Sequence, residues 1–191
     1  MKYKIIAVVG KSGSGKDTFL EIMEEESFDV NRIIATTTRP KRDKEINGEN
    51  YWFIKEEEFF DKLKDNKFFT NSAFRNWHYG SEYEDLSTTA VNVGIFTPID
   101  IEKLRKNENI DLFVVEIIAS DKVRLLRSLN REENPDVKEI IRRYNADDID
   151  FYNFQADYTI INDTWHDYYN MGIKIDNMWA AWRKAHLDKI N

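Results

Sequence analysis

The chain opens on an apolar run without a polar break, Ile5-Ile6-Ala7-Val8-Val9, which begins after Lys4 and stops at Gly10. A continuous β-branched run of this length predicts a strand buried on both faces of a parallel sheet, because a half-exposed strand would alternate. The period then changes. Phe19, Leu20, Ile22 and Met23 recur at helical spacing over 17–26, so the first unit reads strand, glycine-rich turn, helix. Further strands are predicted over 32–38, 90–96, 110–119 and 158–161. Helices are predicted over 99–106, 121–130, 137–151 and 165–186, with Ser120-Asp121 as a cap. This alternation implies right-handed crossovers and an α/β fold, a parallel sheet flanked by helices.

Two stretches interrupt the rhythm. Residues 40–89 open on charge and turn residues, Lys41-Arg42-Asp43-Lys44-Glu45-Ile46-Asn47-Gly48-Glu49-Asn50, and then turn aromatic, which reads as an inserted lobe. Asn130-Arg131-Glu132-Glu133-Asn134-Pro135-Asp136 is a charged segment between two helices, short enough for a mobile flap. With 191 residues there is room for one core carrying such inserts. The expected organisation is one domain over 1–191, with a core of 1–39, 90–129 and 137–191, a lobe of 40–89 and a lid of 130–136.

Composition narrows the chemistry. The 28 basic against 35 acidic side chains leave a net charge of −7, so no bulk field holds a polyanion and no stable nucleic-acid binding is expected. A local cluster of Arg and Lys can still grip a small phosphate ester. The absence of Cys excludes thiolate catalysis and Cys-based metal sites, and 3 scattered His argue against a histidine metal cluster. No uncharged apolar run approaches the roughly 20 residues of a bilayer span, so the expectation is a soluble, cytoplasmic protein without a membrane partner.

Gly10-Lys11-Ser12-Gly13-Ser14-Gly15-Lys16 fits G-x-x-x-x-G-K between a buried strand and a helix, the context of a phosphate-binding P-loop. Glycines let backbone N–H groups turn inward around a polyphosphate, the helix N-terminus adds its positive end, and Lys16 supplies a catalytic cation. Gly10, Ser12, Gly13, Ser14, Gly15, Lys16, Asp17 and Thr18 are the candidate ATP-binding residues. The position after the lysine, commonly a Mg²⁺-binding Ser or Thr, is Asp17, followed by Thr18. Either serves a metal site, Asp17 through metal-bound water; the other reading of Asp17 is a favourable first-turn acid. Arg39 and Arg42, three residues apart and joined by the hydroxyls of Tyr51 and Tyr79, suit the dianion of a nucleoside monophosphate.

Thr37-Thr38-Arg39-Pro40-Lys41-Arg42 followed by Glu45-Ile46-Asn47-Gly48-Glu49-Asn50-Tyr51-Trp52-Phe53 resembles the guanylate kinase family's T-T-R-x-x-R…E-x-N-G-x-x-Y-x-F run. His78-Tyr79-Gly80-Ser81 resembles its Y-G-S/T, and Asp157-Tyr158-Thr159-Ile160-Ile161-Asn162-Asp163 its late strand ending in Asn-Asp. The resemblance runs from about residue 4 to 163. It implies a P-loop NTPase fold with an inserted NMP-binding lobe and a short lid, in which ATP-Mg²⁺ phosphorylates GMP or dGMP. It also implies that Glu45 lies near the acceptor phosphate, although it reads equally as an arginine's surface partner. Ser81 would touch the base, and Asn162 either the adenine of ATP or only a strand-end turn. Arg131 and Arg143 would be lid arginines, with Arg142 as substitute because the loop is one residue longer than usual. Expected partners are small-molecule nucleotides, with the chain a monomer or homodimer.

Departures qualify the resemblance. Ala35 stands where the family has a serine, Thr70 where it has a guanine-reading glutamate, and its D-x-D falls near Gly94-Ile95-Phe96. A buried base edge left without acceptors costs about 1–3 kcal/mol per lost partner. A different or broader base choice is therefore the alternative, with Thr70, Asn71 and Phe96 lining the pocket. A non-catalytic binding module is the rival of another class, against which the retained Lys16 and glycines argue. Trp165, Trp179 and Trp182 in the tail are expected to pack as core.

Overall fold

In the computed structural model, residues 2–26, 29–41, 45–74, 76–131, 133–164 and 168–187 are described. In chain order the elements are β1 (Tyr3–Val9), α1 (Lys16–Glu26), β2 (Val30–Arg32), β3 (Thr36–Thr37), β4 (Trp52–Phe53), α2 (Glu56–Lys64), β5 (Phe68–Phe74) and β6 (Trp77–Glu82). A 3-10 turn (Tyr83–Asp85) then leads to β7 (Val91–Ile95), α3 (Pro98–Leu104), β8 (Ile110–Ile118), α4 (Asp121–Asn130), α5 (Val137–Asp150), β9 (Tyr158–Ile161) and α6 (Tyr168–Leu187). Trp165, the expected first residue of the last helix, lies outside the described residues.

The unbroken apolar run does what its pattern demands: β1 is the middle of five parallel strands, ordered β2-β7-β1-β8-β9, and Ile5 to Val9 are fully buried. Alternate residues serve opposite faces. Ile6 and Val8 pack with Phe19, Ile22 and Met23 of α1 and with Met171, Ile175 and Met178 of α6. Ile5, Ala7 and Val9 pack with Ile101 and Leu104 of α3 and with Phe69 and Phe96. Each such side chain contributes about 1.5–3 kcal/mol by leaving water, so the rigid part of the molecule is this sandwich. Trp179 and Trp182 join the first face as expected, their rings edge to face at 5.5 Å. No described helix is long and apolar enough to cross a membrane.

A second sheet, ordered β4-β3-β6-β5, stands apart from the first and is mostly antiparallel. Phe59 of α2 stacks on Phe68 at 4.6 Å and closes its far side. The strand expected over 32–38 is divided between the two sheets. Val30 to Arg32 pair with β7, and Ile33 N–H still donates to Val93 O, whereas Thr36 and Thr37 pair with β4 and β6. The β-branched run is continuous, but its partners change: Ile33 is buried in the main core, while Thr36 Oγ1 donates to Glu82 at 2.8 Å. The second sheet thus takes in residues ahead of position 40.

Helix caps differ from expectation. Ser120 occupies the N-cap of α4 without a side-chain cap bond, and its N–H donates to Asp163 Oδ1 at 2.6 Å instead. The complete capping box is on α3, where Thr97 and Asp100 satisfy each other's backbone N–H groups around Pro98.

Candidate active site

β1 delivers the chain to the carboxyl edge of the sheet, where open α/β folds bind ligands. Gly13 (φ 77°) and Gly15 (φ 97°) are left-handed, and the loop packs too closely for side chains. A Cβ on Gly13 would lie 2.7 Å from Arg124 O, and one on Gly15 would collide with Asn162 Nδ2. The loop's carbonyls are held from outside. Ser12 O accepts from Arg124 Nε at 2.9 Å, Gly13 O and Ser14 O accept from Arg127 Nη1 at 3.3 and 3.2 Å, and Ser14 O also accepts from Asn162 Nδ2 at 2.8 Å. Because C=O and N–H of a trans peptide point oppositely, the Gly13 and Gly15 N–H groups are turned the other way. With the first-turn amides of α1 they form a cradle for an anion.

Lys16 Nζ donates to Gly10 O at 2.7 Å and Lys11 O at 3.3 Å. Burial lowers its pKa, and Asp17 and Asp147 oppose that shift. A cavity of about 580 Å³ opens over the cradle, walled on one side by Ser12, Gly13, Gly15, Lys16, Asp17 and Thr18. Arg131 and Arg143 wall it from the other side, and Asn162 lies at its base. The structure therefore gathers nine of the residues expected from sequence around one space. Gly10 and Ser14 are buried behind the loop rather than lining it. Arg142 is outside the lining. It pairs with Glu139, whose carboxylate accepts Arg142 Nε at 2.8 Å and Arg143 Nε at 2.9 Å. Those guanidiniums, Arg142 first, hold the Glu139 carboxyl down at about 2. Asn162 has its amide nitrogen on the phosphate loop, which makes it a support for the loop.

The residues expected on the acceptor side form a second cluster, with Tyr79 on β6 of the smaller sheet, Arg39 just after β3 and Tyr51 just before β4. Arg39, 8% exposed, meets Glu45 with both terminal nitrogens at 2.9 and 2.8 Å. Its guanidinium lies 5.3 Å over the Tyr51 ring and 5.4 Å over Phe53, and Tyr51 meets Tyr79 edge to face at 6.0 Å. Glu45 is thus a well-covered partner of Arg39 and no surface counter-ion. Burial first, then Tyr79 and Asp17, raise the Tyr51 pKa, so its hydroxyl is a neutral donor. Arg42 lies outside the described residues.

The expected base pocket is rearranged. Thr70 is buried, its hydroxyl donating to Asp100 Oδ1 at 2.9 Å, so it is not an open contact, and Phe96 packs on Phe69 within the core. Ser81 stands opposite Thr70 in the ladder and is buried. Sequence reasoning missed Asp100, a buried carboxylate brought beside Thr70 by α3. Its other oxygen accepts Thr97 Oγ1 at 2.7 Å. The capping-box spacing Thr97-Pro98-Ile99-Asp100 was the signal available for it.

Strand, phosphate loop and helix under a cavity lined by arginines define a P-loop phosphotransferase. The guanylate kinase family model matches residues 2–172, and the chain belongs to that family. It is 29% identical over 165 residues to the guanylate kinase of Blochmanniella pennsylvanica, covering 81% of this chain and 77% of that one. To the guanylate kinase of Thermotoga maritima it is 25% identical over 197 residues, covering 100% and 94%. The crystal structure of guanylate kinase from Anaplasma phagocytophilum shares the fold, with a TM-score of 0.60 at 16% identity over 95% of this chain and 87% of that one. The chain is an ATP-dependent nucleoside monophosphate kinase.

Proposed function

We propose that the acceptor is GMP or dGMP, and that the chain transfers the γ-phosphoryl group of ATP to it. The observation that carries the acceptor class is the Arg39–Tyr51–Tyr79 cluster, a cation and two hydroxyls gathered in one place and matched to a phosphate dianion. The base reading rests on the curated relatives' identity as guanylate kinases.

Mg²⁺ suits the donor set, since this ion takes one or two protein oxygens and leaves the rest of its shell to phosphates and water. Asp17 and Thr18, both on the cavity wall, would hold it, and it would neutralise charge developing on the transferred group. Lys16 would leave the Gly10 and Lys11 carbonyls for the phosphates, while Arg131 and Arg143 cover them from the lid side.

Coupled ADP release from ATP-Mg²⁺ against GMP, dGMP, AMP, dAMP, CMP, dCMP, UMP and dTMP tests the reading. Turnover is expected on GMP or dGMP, and Tyr79→Phe should raise the acceptor KM while leaving that for ATP near wild type. Turnover centred on another base would overturn the base reading. Silence across the panel, with ATP still bound, would sink the proposal.

A further inference from the structure

We propose that Arg124 and Asp147 are positioning residues for ATP: a largely buried ion pair that holds the two peptides flanking the Ser12 Cα, one through its N–H and the next through its C=O, and ties them to the two helices carrying the lid. The proposal rests on the reading of the loop as the ATP site. Arg124, 1% exposed, uses all three guanidinium nitrogens. Its Nε donates to Ser12 O at 2.9 Å, Nη2 to Asp147 Oδ2 at 2.8 Å and Nη1 to Asp121 Oδ1 at 2.8 Å, while the guanidinium lies 4.4 Å over the Tyr144 ring. The same Asp147 Oδ2 accepts the Ser12 N–H at 2.7 Å. Both backbone polar groups of Ser12 are therefore fixed, its carbonyl by a residue of α4 and its N–H by a residue of α5, which also takes its hydroxyl at 3.4 Å.

Two physical arguments give this arrangement a function. Burying a charge pair is no cheap way to pack two helices, since apolar residues of similar volume commonly pack as well or better. What apolar residues cannot do is orient a peptide. Arg124 holds the Ser12 carbonyl outward, and the trans peptide then holds the Gly13 N–H toward the cradle. The second argument is connectivity. α4 ends at Asn130, α5 begins at Val137, and the lid segment spans the gap, so both of its anchors converge on one residue of the phosphate loop, Ser12. A shift of the lid helices is thereby felt at the cradle, and nucleotide phosphates in the cradle bias the lid.

Arg124→Met alone would strand Asp147 as an uncompensated buried charge, so loss of activity there would not separate positioning from folding. The discriminating variant is the double Arg124→Met/Asp147→Leu, which restores apolar packing without the grip. It is to be compared with Asp147→Asn, which keeps an acceptor for Ser12 N–H without the charge. For each, the melting temperature, the ADP Kd by calorimetry, and KM for ATP and for the acceptor monophosphate are measured. The double variant is expected to melt near wild type while the ADP Kd and ATP KM rise roughly tenfold or more. The acceptor KM should stay within about twofold, since no acceptor-side residue is touched. A double variant with wild-type stability and wild-type ADP affinity would overturn the proposal and leave a packing pair only. Should the double variant not fold, Asp147→Asn decides: an unchanged ADP Kd in a folded protein overturns the proposal, and a weakened one supports it. Failure of the wild-type chain itself to bind ADP would overturn the ATP-site reading, and the proposal with it.

Discussion

Glu139 holds two guanidiniums at once, and only one of them, Arg143, lines the cavity. Its carboxyl is kept at about 2, by Arg142 first and then Arg143, against an ordinary 4.5. A carboxylate depressed in this way stabilises the fold fully above pH 4.5, and that contribution is lost as pH falls towards 2. Glu139→Gln should therefore lower stability near neutrality, by about 1 kcal/mol or less for pairs at the solvent edge. The variant's melting temperature should also lose part of the wild-type decline between pH 4.5 and 2, and parallel declines in both proteins would refute the pairing. Residues of this kind were hard to read beforehand. Gly10 to Lys16, Arg39 and Tyr51 were legible because their spacing is the chemistry itself. Arg124 and Asp147 were not, because their helices reverse the usual pattern: α4 buries Arg124 and leaves Leu125 and Leu126 41% and 43% exposed. A periodicity argument turns the leucines inward and leaves the arginine in water.

At the scale of elements, β1 was legible as an apolar run without interruption, and β7, β8 and β9 as mainly apolar ones, whereas β2, Val30-Asn31-Arg32, carries no such run and meets the expected strand only at residue 32. The sequence could not say where a run changes sheets. The division of 30–37 between β2 and β3 depends on partners distant in sequence, β7 for the first part and β4 and β6 for the second. The return from the second sheet to the first is organised by Asn92, fully buried on β7. Its Oδ1 accepts from Asn31 Nδ2 at 2.8 Å and Ser87 N–H at 2.7 Å, and its Nδ2 donates to Lys4 O at 3.1 Å and Ser87 O at 2.9 Å. Four bonds from one amide join β1, β2, β7 and the chain leaving the 3-10 turn. An isosteric Asn92→Leu would orphan several of these buried groups, and a loss of about 2–4 kcal/mol is expected. Urea unfolding is the measurement: the midpoint should fall with the slope unchanged, and a midpoint shift worth less than about 0.5 kcal/mol would show that the junction is held by other contacts.

For the whole molecule the decisive fact is a separation. The cavity wall includes the phosphate loop, Arg131 and Arg143, while Arg39 just after β3, Tyr51 just before β4 and Tyr79 on β6 of the second sheet do not line it. In-line phosphoryl transfer needs donor and acceptor oxygens in near-contact, with water excluded, so approach of the two clusters on binding both nucleotides is the expected outcome. The fold is arranged for that: a rigid parallel sandwich carries the cradle, and a second sheet with its flanking residues carries the acceptor cluster. A bisubstrate compound, adenosine and guanosine joined through a chain of phosphates, should bridge the clusters and hold them together. Solution X-ray scattering should then report a smaller radius of gyration than the free protein, which for a compact chain of this length is about 16 Å. ADP alone or GMP alone should compact it less. The melting temperature should rise further with the bridged compound than with both single nucleotides at matched saturation, because one ligand then stabilises both sheets relative to the unfolded chain. Equal radii with all ligands, together with full turnover, would mean that the clusters already stand at reacting distance in solution, and that closure is no part of how this kinase works.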